Sequence, residues 1–431
     1  MDDGQPSWEL RATDRETHSV CGDSRAMVIR SQYGEIGEGV TLMAIYLDYN
    51  ATTPLRAEVR EAMDPYLVDK FGNGSSVHAF GREAAKGMNR AREQVAAALG
   101  CAAAEVVFTG GGTEADNLAI KGVADGQGEG SAHIVTTAIE HHAVLHTCEY
   151  LERRGFSVTY LPVDEQGVVD PDAVRKAITE RTILVSVMHA NNEVGSIQPI
   201  AEIGRIARER GVVLHTDAVQ SFGKLTVDVD ELSVDLLTLS AHKIYGPKGV
   251  GALYVRRGTQ LEPLVHGGDH EHGLRAGTEN VAGIVGLGQA AELAVAEMED
   301  ERRRLEGLRE RLWAGIAANL GGVRRSAGGR QTLPNTLNVC FEYLEGEAIL
   351  MGLDARGIAV STGSACTSDA LDPSHVLLAM GVPPLIAQGS VRFSLGRGTT
   401  AQQVDGVVEV VRHIVEGLQA GSPLFGGEIV T

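Results

Sequence analysis

Apolar positions along this chain follow two alternating periods. Short runs of consecutive aliphatic and β-branched residues read as buried strands: Glu105–Thr109 (EVVFT), His133–Thr137, Ser157–Leu161, Thr182–Val187 (TILVSV), Gly211–His215 (GVVLH), Val234–Leu239 and Val250–Val255. Between them lie stretches with helical spacing. Thr113–Ala124 is one, a second ends at Arg154, and in a third Ile200, Ile203, Ile206 and Ala207 make one face. Strands alternating with helices predict an α/β domain on a mainly parallel sheet.

From Glu279 to about Leu320 the pattern is one or two long helices rich in Ala, Glu and Arg. The rhythm then changes to a strand at Thr336–Phe341, a helix at Glu347–Ala355 and a strand at Gly389–Leu395. In the last helix Val404, Val407, Val408, Val411, Ile414, Val415 and Leu418 fall on one face, and Thr400 with Gln403 forms a capping box ahead of it. The predicted organisation has four parts: a flexible N-terminal extension over 1–43, a segment over 44–60 packing on a small domain, a large domain over 61–320, and that small α/β domain over 321–431.

Composition narrows the function. The net charge of -19 argues against a nucleic-acid groove or an anionic membrane as main partner. No consecutive run of about 18 apolar residues predicts a membrane span, and Met1–Leu10 lacks an apolar signal core. The cysteines, Cys21, Cys101, Cys148, Cys340 and Cys366, are odd in number and scattered, which fits a reducing cytoplasm and no CxxC metal site. Glycine is abundant, at 53 residues, as expected where backbone must turn tightly or approach ligands.

Four clusters carry candidate chemistry. Thr109-Gly110-Gly111-Gly112-Thr113-Glu114 joins a strand to a helix, where bare N–H groups and the helix start favour a phosphate, although glycine turns after strands are common. His215-Thr216-Asp217-Ala218-Val219-Gln220 ends a strand, where a carboxylate could hold a cationic ring nitrogen or simply cap the turn. Ser240-Ala241-His242-Lys243 follows a buried strand, and a lysine there is a candidate Schiff-base amine, with a solvated surface lysine as the alternative. Ser364-Ala365-Cys366-Thr367-Ser368 puts a cysteine among small polar residues, where a thiol can act as a nucleophile; Cys340 in NVCF reads instead as buried, and Cys101 and Cys148 as structural. A phosphate turn, a carboxylate and a lysine in this order match the three handles of pyridoxal phosphate.

These residues sit within motifs that resemble the cysteine desulfurases of the NifS/IscS type, in class V of the pyridoxal-phosphate aminotransferases. The resemblance runs from Tyr46-Leu47-Asp48-Tyr49-Asn50-Ala51-Thr52-Thr53-Pro54 to Val391-Arg392-Phe393-Ser394-Leu395-Gly396-Arg397. It includes Gly72-Asn73 with Ser75 to His78, Glu140 to Leu145, His189 to Gly195 (HANNEVG), Ser240 to Gly249 (SAHKIYGPKG) and Arg275 to Thr278. It implies transferase fold type I, with a large domain on a seven-stranded-type sheet and a smaller C-terminal domain.

Roles follow from the same resemblance. Lys243 would bond the cofactor and move protons, Asp217 would pair with the ring nitrogen, and Gln220 would bond the ring hydroxyl. His141 would stack on the ring and act in acid–base steps. Gly112, Thr113, Ser240 and His242 would hold the phosphate, and Thr278 would reach that of a neighbouring subunit, implying a homodimer. Asn192 and Arg392 would bind the substrate L-cysteine, with Arg392 on its carboxylate. Cys366 would take the sulfur as a persulfide, leave L-alanine, and pass the sulfur to a protein acceptor.

Two departures are mild: Gly-Gly-Gly-Thr stands in the phosphate turn where relatives often carry Gly-Ala-Thr, and His142 stands where lysine is frequent. His266, His270 and His272 lie in a Gly/His loop that the resemblance places near the site without a metal. The alternatives are another enzyme of the class, such as a selenocysteine or cysteine lyase or an aminotransferase, and a non-catalytic sulfur-assembly scaffold. Cys366 separates the first from a desulfurase, and Lys243, Asp217 and His141 separate the second.

Overall fold

Seven of the chain's strands assemble into one sheet, in the order Val106–Thr109, Gly251–Val255, Leu236–Ser240, Val213–Asp217, Thr182–Ser186, His133–Thr137 and Ser157–Leu161. The computed structural model describes residues 44–126, 132–328, 331–362 and 373–421; the extension expected over 1–43 and the segment holding Cys366 lie outside the described residues. The last five strands of that order are mutually parallel. Gly251–Val255 runs antiparallel to both neighbours. Val106–Thr109, Leu236–Ser240 and Gly251–Val255 are buried throughout, as strands covered by helices on both faces must be. Ser157–Leu161, on the edge, is half-exposed.

The helices between the strands cover the sheet. The predicted face Ile200, Ile203, Ile206 and Ala207 of the helix Ile200–Arg210 is buried against Leu214 and Leu237 in one core. The helix Gly112–Gly126 buries Ala115, Leu118, Ala119 and Val123 with Ile134 and Leu253 in a second.

A smaller antiparallel sheet of Val323–Arg325, Thr336–Phe341 and Ser390–Ser394 carries its own core, in which Leu337, Val339, Phe341 and Phe393 meet the last helix, Ala401–Gly421. Val404, Val407, Val408, Val411, Ile414 and Val415 of that helix are buried, while Leu418 is half-buried. Its capping box forms: the Thr400 N–H donates to Gln403 Oε1 at 2.9 Å, and the Gln403 N–H to Thr400 Oγ1 at 3.2 Å.

The one or two helices expected after Glu279 are a single helix, Val281–Asn319. Its Ile284, Leu287, Ala290 and Ala291 belong to the core of the large sheet, and its Leu305, Leu308, Leu312 and Ile316 to that of the small sheet. By length and composition a stretch of this helix is apolar enough to cross a membrane, and 44% of that stretch is buried inside the protein. Near the N-terminus, Leu47 enters the core of the small sheet, whereas Val59, on the helix Ala57–Val68, enters that of the large one.

Candidate active site

The carboxyl ends of three strands meet at one place. Gly251 pairs with both Thr109 and Ser240, and Asp217, on the next strand, pairs with Thr238. In open parallel sheets this edge is where ligands bind. Glycine at 251 is a packing requirement: a Cβ there would lie 2.6 Å from the Leu239 carbonyl oxygen and 2.7 Å from the carbonyl carbon of Gly111. Its absence lets the Gly110–Gly112 turn settle onto the sheet. Gly111 itself has φ +154° and faces open space.

That turn opens a cavity lined by Gly110, Gly111, Gly112, Thr113, Ser240 and His242, with Lys248 beside them. The helix Gly112–Gly126 starts there, so unpaired N–H groups and the positive end of its dipole face the cavity. Glu114 also lines it, but its carboxylate is occupied: Oε2 accepts from the Gly110 N–H at 2.8 Å and Oε1 from Arg275 Nε at 2.9 Å. Burial and the charges of Lys243, Lys248 and Lys224 lower the His242 pKa to about 4, so at neutral pH its imidazole is an uncharged hydrogen-bonding group. Its Nδ1 lies 3.1 Å from Thr52 Oγ1.

Lys243 follows the strand Leu236–Ser240 through the short turn Ala241–Lys243. Its Nζ donates to the carbonyl oxygens of Asn50 at 2.5 Å and Ala51 at 2.8 Å. Gln220 Nε2 donates to the same Asn50 oxygen at 3.0 Å, and Gln220 Oε1 is buried without a partner. Asp217 is buried, and its Oδ1 accepts from the Val219 N–H at 2.9 Å. Burial raises its pKa, against the opposing pull of that N–H and of Lys243. Buried Asp116 is raised as well, by burial and by the Asp217 charge. A carboxylate in this position is stabilised by a cation brought to it.

His141 caps the helix His142–Arg153, its Nδ1 accepting from the Ala143 N–H at 3.1 Å. The proton of its neutral ring therefore sits on Nε2, the nitrogen left to exchange with other groups. Burial first, then Lys243 and the nearby His142, His375 and His146, lower its pKa to about 4. Arg392, on the strand Ser390–Ser394, is buried; Nη2 donates to Asp48 Oδ1 at 2.8 Å, Nη1 to the Asn192 carbonyl at 3.1 Å, and Nε is buried without a partner.

Lys243, Asp217, Gln220, Gly112, Thr113, Ser240 and His242 thus gather around the ends of adjacent strands, and Asn192 touches Arg392. Thr278 is exposed and does not line this cavity. Cys366 lies outside the described residues. The sequence reading gave no role to Asn50, which ties the site together. Its N–H donates to Ser394 Oγ, its Nδ2 to the Asn192 carbonyl and Thr336 Oγ1, and its Oδ1 accepts from Asn335. The only signal for it was its place in the Tyr46–Pro54 motif. Lys248, in the loop Gly246–Gly249, lines the same cavity and was likewise given no role.

Pyridoxal phosphate fits this set. The helix start, the Thr113 and Ser240 hydroxyls and Lys248 would hold its phosphate, Lys243 its aldehyde carbon and the buried Asp217 carboxyl its ring nitrogen, while Gln220 Oε1, buried without a partner, offers an acceptor for its ring hydroxyl.

Comparison with known proteins agrees. The family model for aminotransferase class-V matches residues 45–407. A cysteine desulfurase IscS from Dictyoglomus turgidum is 53% identical over 88% of this chain and 96% of its own length. One from Methanosarcina thermophila is 54% identical over 92% of this chain and 98% of its own. Among solved structures, a NifS-like protein superposes with a TM-score of 0.82 at 42% identity, covering 87% of this chain and all of that one.

Proposed function

The chain belongs to the class-V aminotransferase family and within it is a cysteine desulfurase that depends on pyridoxal phosphate, and from that premise we propose a role for each residue of the site. The cofactor, when bound, supplies an electron sink that allows bonds at Cα and Cβ of cysteine to break. Thr113, Ser240, His242, Lys248 and the helix start at Gly112 hold its phosphate. Asp217 keeps the proton on its ring nitrogen, and Gln220 bonds its hydroxyl. Lys243 would hold its aldehyde carbon and, as a free amine, would move the Cα proton of the substrate. Arg392, with Asn192 beside it, binds the substrate carboxylate.

Cys366 is the sulfur acceptor. Its thiolate attacks Sγ of the bound cysteine; the S–S bond forms as the Cβ–Sγ bond breaks, with the electron pair departing toward Cβ. A proton then reaches Cβ, and His141 Nε2 is the group assigned to deliver it. The products are alanine and a persulfide on Cys366, equal in atoms to cysteine plus the original thiol. The persulfide sulfur then passes to a protein acceptor.

The enzyme works as a homodimer in a reducing cytoplasm. Leu67, Val68, Phe71, Val77 and Phe80 are exposed, with the Phe71 and Phe80 rings 5.5 Å apart, and a second copy is the occupant assigned to this apolar patch. Exposed Thr278 is the residue we assign to the phosphate held by that copy.

The observation that carries the reading is the meeting of Lys243, Asp217 and the phosphate cavity at the carboxyl ends of neighbouring strands. The test is alanine and sulfide release from L-cysteine with a thiol reductant, for the wild type and Cys366→Ala. Alanine formation that requires Cys366 supports the reading. Full alanine formation by Cys366→Ala would assign a lyase instead.

A further inference from the structure

We propose that Arg275 is a positioning residue for the phosphate of the cofactor: it holds and neutralises the Glu114 carboxylate, so that the cavity at the Gly110–Gly112 turn keeps a positive balance of charge. The inference deepens the reading that this cavity takes the phosphate, and rests on it.

Glu114 is an acid in a place meant for an anion. It stands in the first turn of the helix Gly112–Gly126 and lines the cavity. A carboxylate at a helix start is stabilised by the unpaired N–H groups and by the positive end of the dipole. It therefore competes with a phosphate for the same features. The competition is visible at Gly110, whose N–H donates to Glu114 Oε2 at 2.8 Å. The carboxylate lies so close to the turn that a Cβ on Gly110 would be 2.6 Å from that oxygen.

The charges decide what the cavity prefers. Among its lining residues the charged groups are Glu114 and Lys248, and His242 is neutral. Left alone, the acid and the lysine cancel, and a dianionic phosphate meets no net charge from the side chains. Arg275 is not itself a lining residue, but its Nε donates to Glu114 Oε1 at 2.9 Å. With the carboxylate neutralised, the Lys248 charge and the helix end are left for the phosphate. The two side chains of the pair are 27% and 26% exposed, so solvent screens their charges only in part.

The loop that carries Arg275 is fastened on both sides of it. Ahead of it, Glu271 is buried; its Oε1 accepts from Arg92 Nη2 at 2.6 Å, and its Oε2 from Arg92 Nη1 at 2.7 Å and from the Phe108 N–H at 2.8 Å. Phe108 belongs to the strand that leads into the phosphate turn, and the Arg92 guanidinium lies 4.5 Å from the centre of its ring. After it, Ala276 is buried, and its N–H donates to the Val265 carbonyl at 3.3 Å. Glu271 and His272 have φ of +47° and +59°, a costly backbone for residues with side chains, which persists where the surroundings fix it. Arg275 is thus delivered to Glu114 by an anchored turn rather than by a free surface loop.

The test is the dissociation constant of pyridoxal phosphate from the full-length apoenzyme, with unphosphorylated pyridoxal as the control. It is measured for the wild type, Arg275→Gln, Arg275→Lys, Glu114→Gln and Arg275→Gln/Glu114→Gln. Arg275→Gln is expected to bind pyridoxal phosphate about fivefold to tenfold more weakly at low ionic strength, with a smaller loss at high ionic strength and little change for pyridoxal. Arg275→Lys keeps the charge and should stay close to the wild type. Removing the acid as well should restore the affinity, so the double variant binds at least as tightly as the wild type. An unchanged constant in Arg275→Gln would overturn the inference. So would a double variant as weak as Arg275→Gln, or an equal loss for pyridoxal, since either makes Arg275 a structural residue of its loop. Should Arg275→Gln fail to fold, Glu114→Gln decides: tighter binding of pyridoxal phosphate supports the inference, and unchanged or weaker binding overturns it. A wild type that binds pyridoxal phosphate no more tightly than pyridoxal would instead overturn the phosphate reading, and the inference with it.

Discussion

Arg392 and Asp48, 344 residues apart in sequence, meet at 2.8 Å between Nη2 and Oδ1. Arg392 is the more deeply buried of the two, and the Asn192 carbonyl takes its other terminal nitrogen. The guanidinium is therefore held in one orientation before substrate arrives.

Charge-assisted hydrogen bonds contribute about 1.5–3 kcal/mol each, so losing the planar fork raises KM by roughly tenfold to a hundredfold. Arg392→Lys is expected to show this in steady-state kinetics with L-cysteine, with the cofactor absorbance unchanged. An unaltered KM would remove Arg392 from substrate binding.

Gly251→Ala is expected to damage cofactor binding without removing any functional group. The added methyl would meet the backbone of Leu239 and Gly111 inside 3 Å, and backbone cannot swing aside as a side chain can. The phosphate turn must then lift from the sheet. Equilibrium titration of the apoenzyme with pyridoxal phosphate should show a dissociation constant at least about tenfold weaker, the cost of a few strained contacts. Binding of unphosphorylated pyridoxal should change less.

Much of this site was legible because its residues sit at the ends of buried strands. Asp217, Ser240 and Lys243 follow runs of consecutive apolar residues, which mark strands buried on both faces. The direction of Gly251–Val255 was not legible, since a fully buried run has the same composition whichever way it points. The single helix Val281–Asn319 was ambiguous because its two ends serve different cores, so no one apolar stripe runs along it. Asn50 was hidden for another reason. It reaches Lys243 with a backbone carbonyl, across 193 residues of sequence, and a carbonyl carries no residue-type signature.

The cysteines divide by environment. Cys148 and Cys340 are buried, and burial pushes the Cys148 and half-buried Cys101 thiols up to about 12. Such thiols hold almost no thiolate at neutral pH. The variant Cys101→Ala/Cys148→Ala is expected to keep wild-type persulfide formation, read by mass spectrometry after one turnover with L-cysteine. Loss of the added sulfur in that variant would show a relay through these thiols.

The exposed Phe71 and Phe80 rings predict an oligomer that charge can split. Replacing both with glutamate places two carboxylates against the same apolar patch of the second copy, where each lacks a partner. Sedimentation should show the wild type as a dimer and Phe71→Glu/Phe80→Glu shifted toward monomer. A variant that remains fully dimeric would place the interface elsewhere.

His215 makes a prediction about acid stability. It is fully buried under the site, with Nδ1 2.9 Å from Ser186 Oγ and Nε2 3.0 Å from Thr238 Oγ1. Both hydrogen-bond partners are neutral hydroxyls, the Asp116 carboxyl 3.6 Å from Nε2 is itself raised by burial toward its neutral form, and burial lowers the His215 pKa to about 3, below the usual value of about 6.5 for an unfolded histidine. Between those two values the unfolded chain binds a proton that the folded chain does not. The sign follows: this histidine adds its full stability above about pH 6.5, and that stability is lost as pH falls toward 3, by more than about 1 kcal/mol per pH unit within the window. His215→Asn keeps polar contacts with no proton to gain. Buried carboxyls such as Glu140, raised to about 8, contribute slopes of opposite sign, but they do so in both proteins. Thermal unfolding from pH 7 to pH 4 should therefore show the melting temperature of the wild type falling more steeply than that of His215→Asn, and parallel curves would mean that His215 is charged in the folded state.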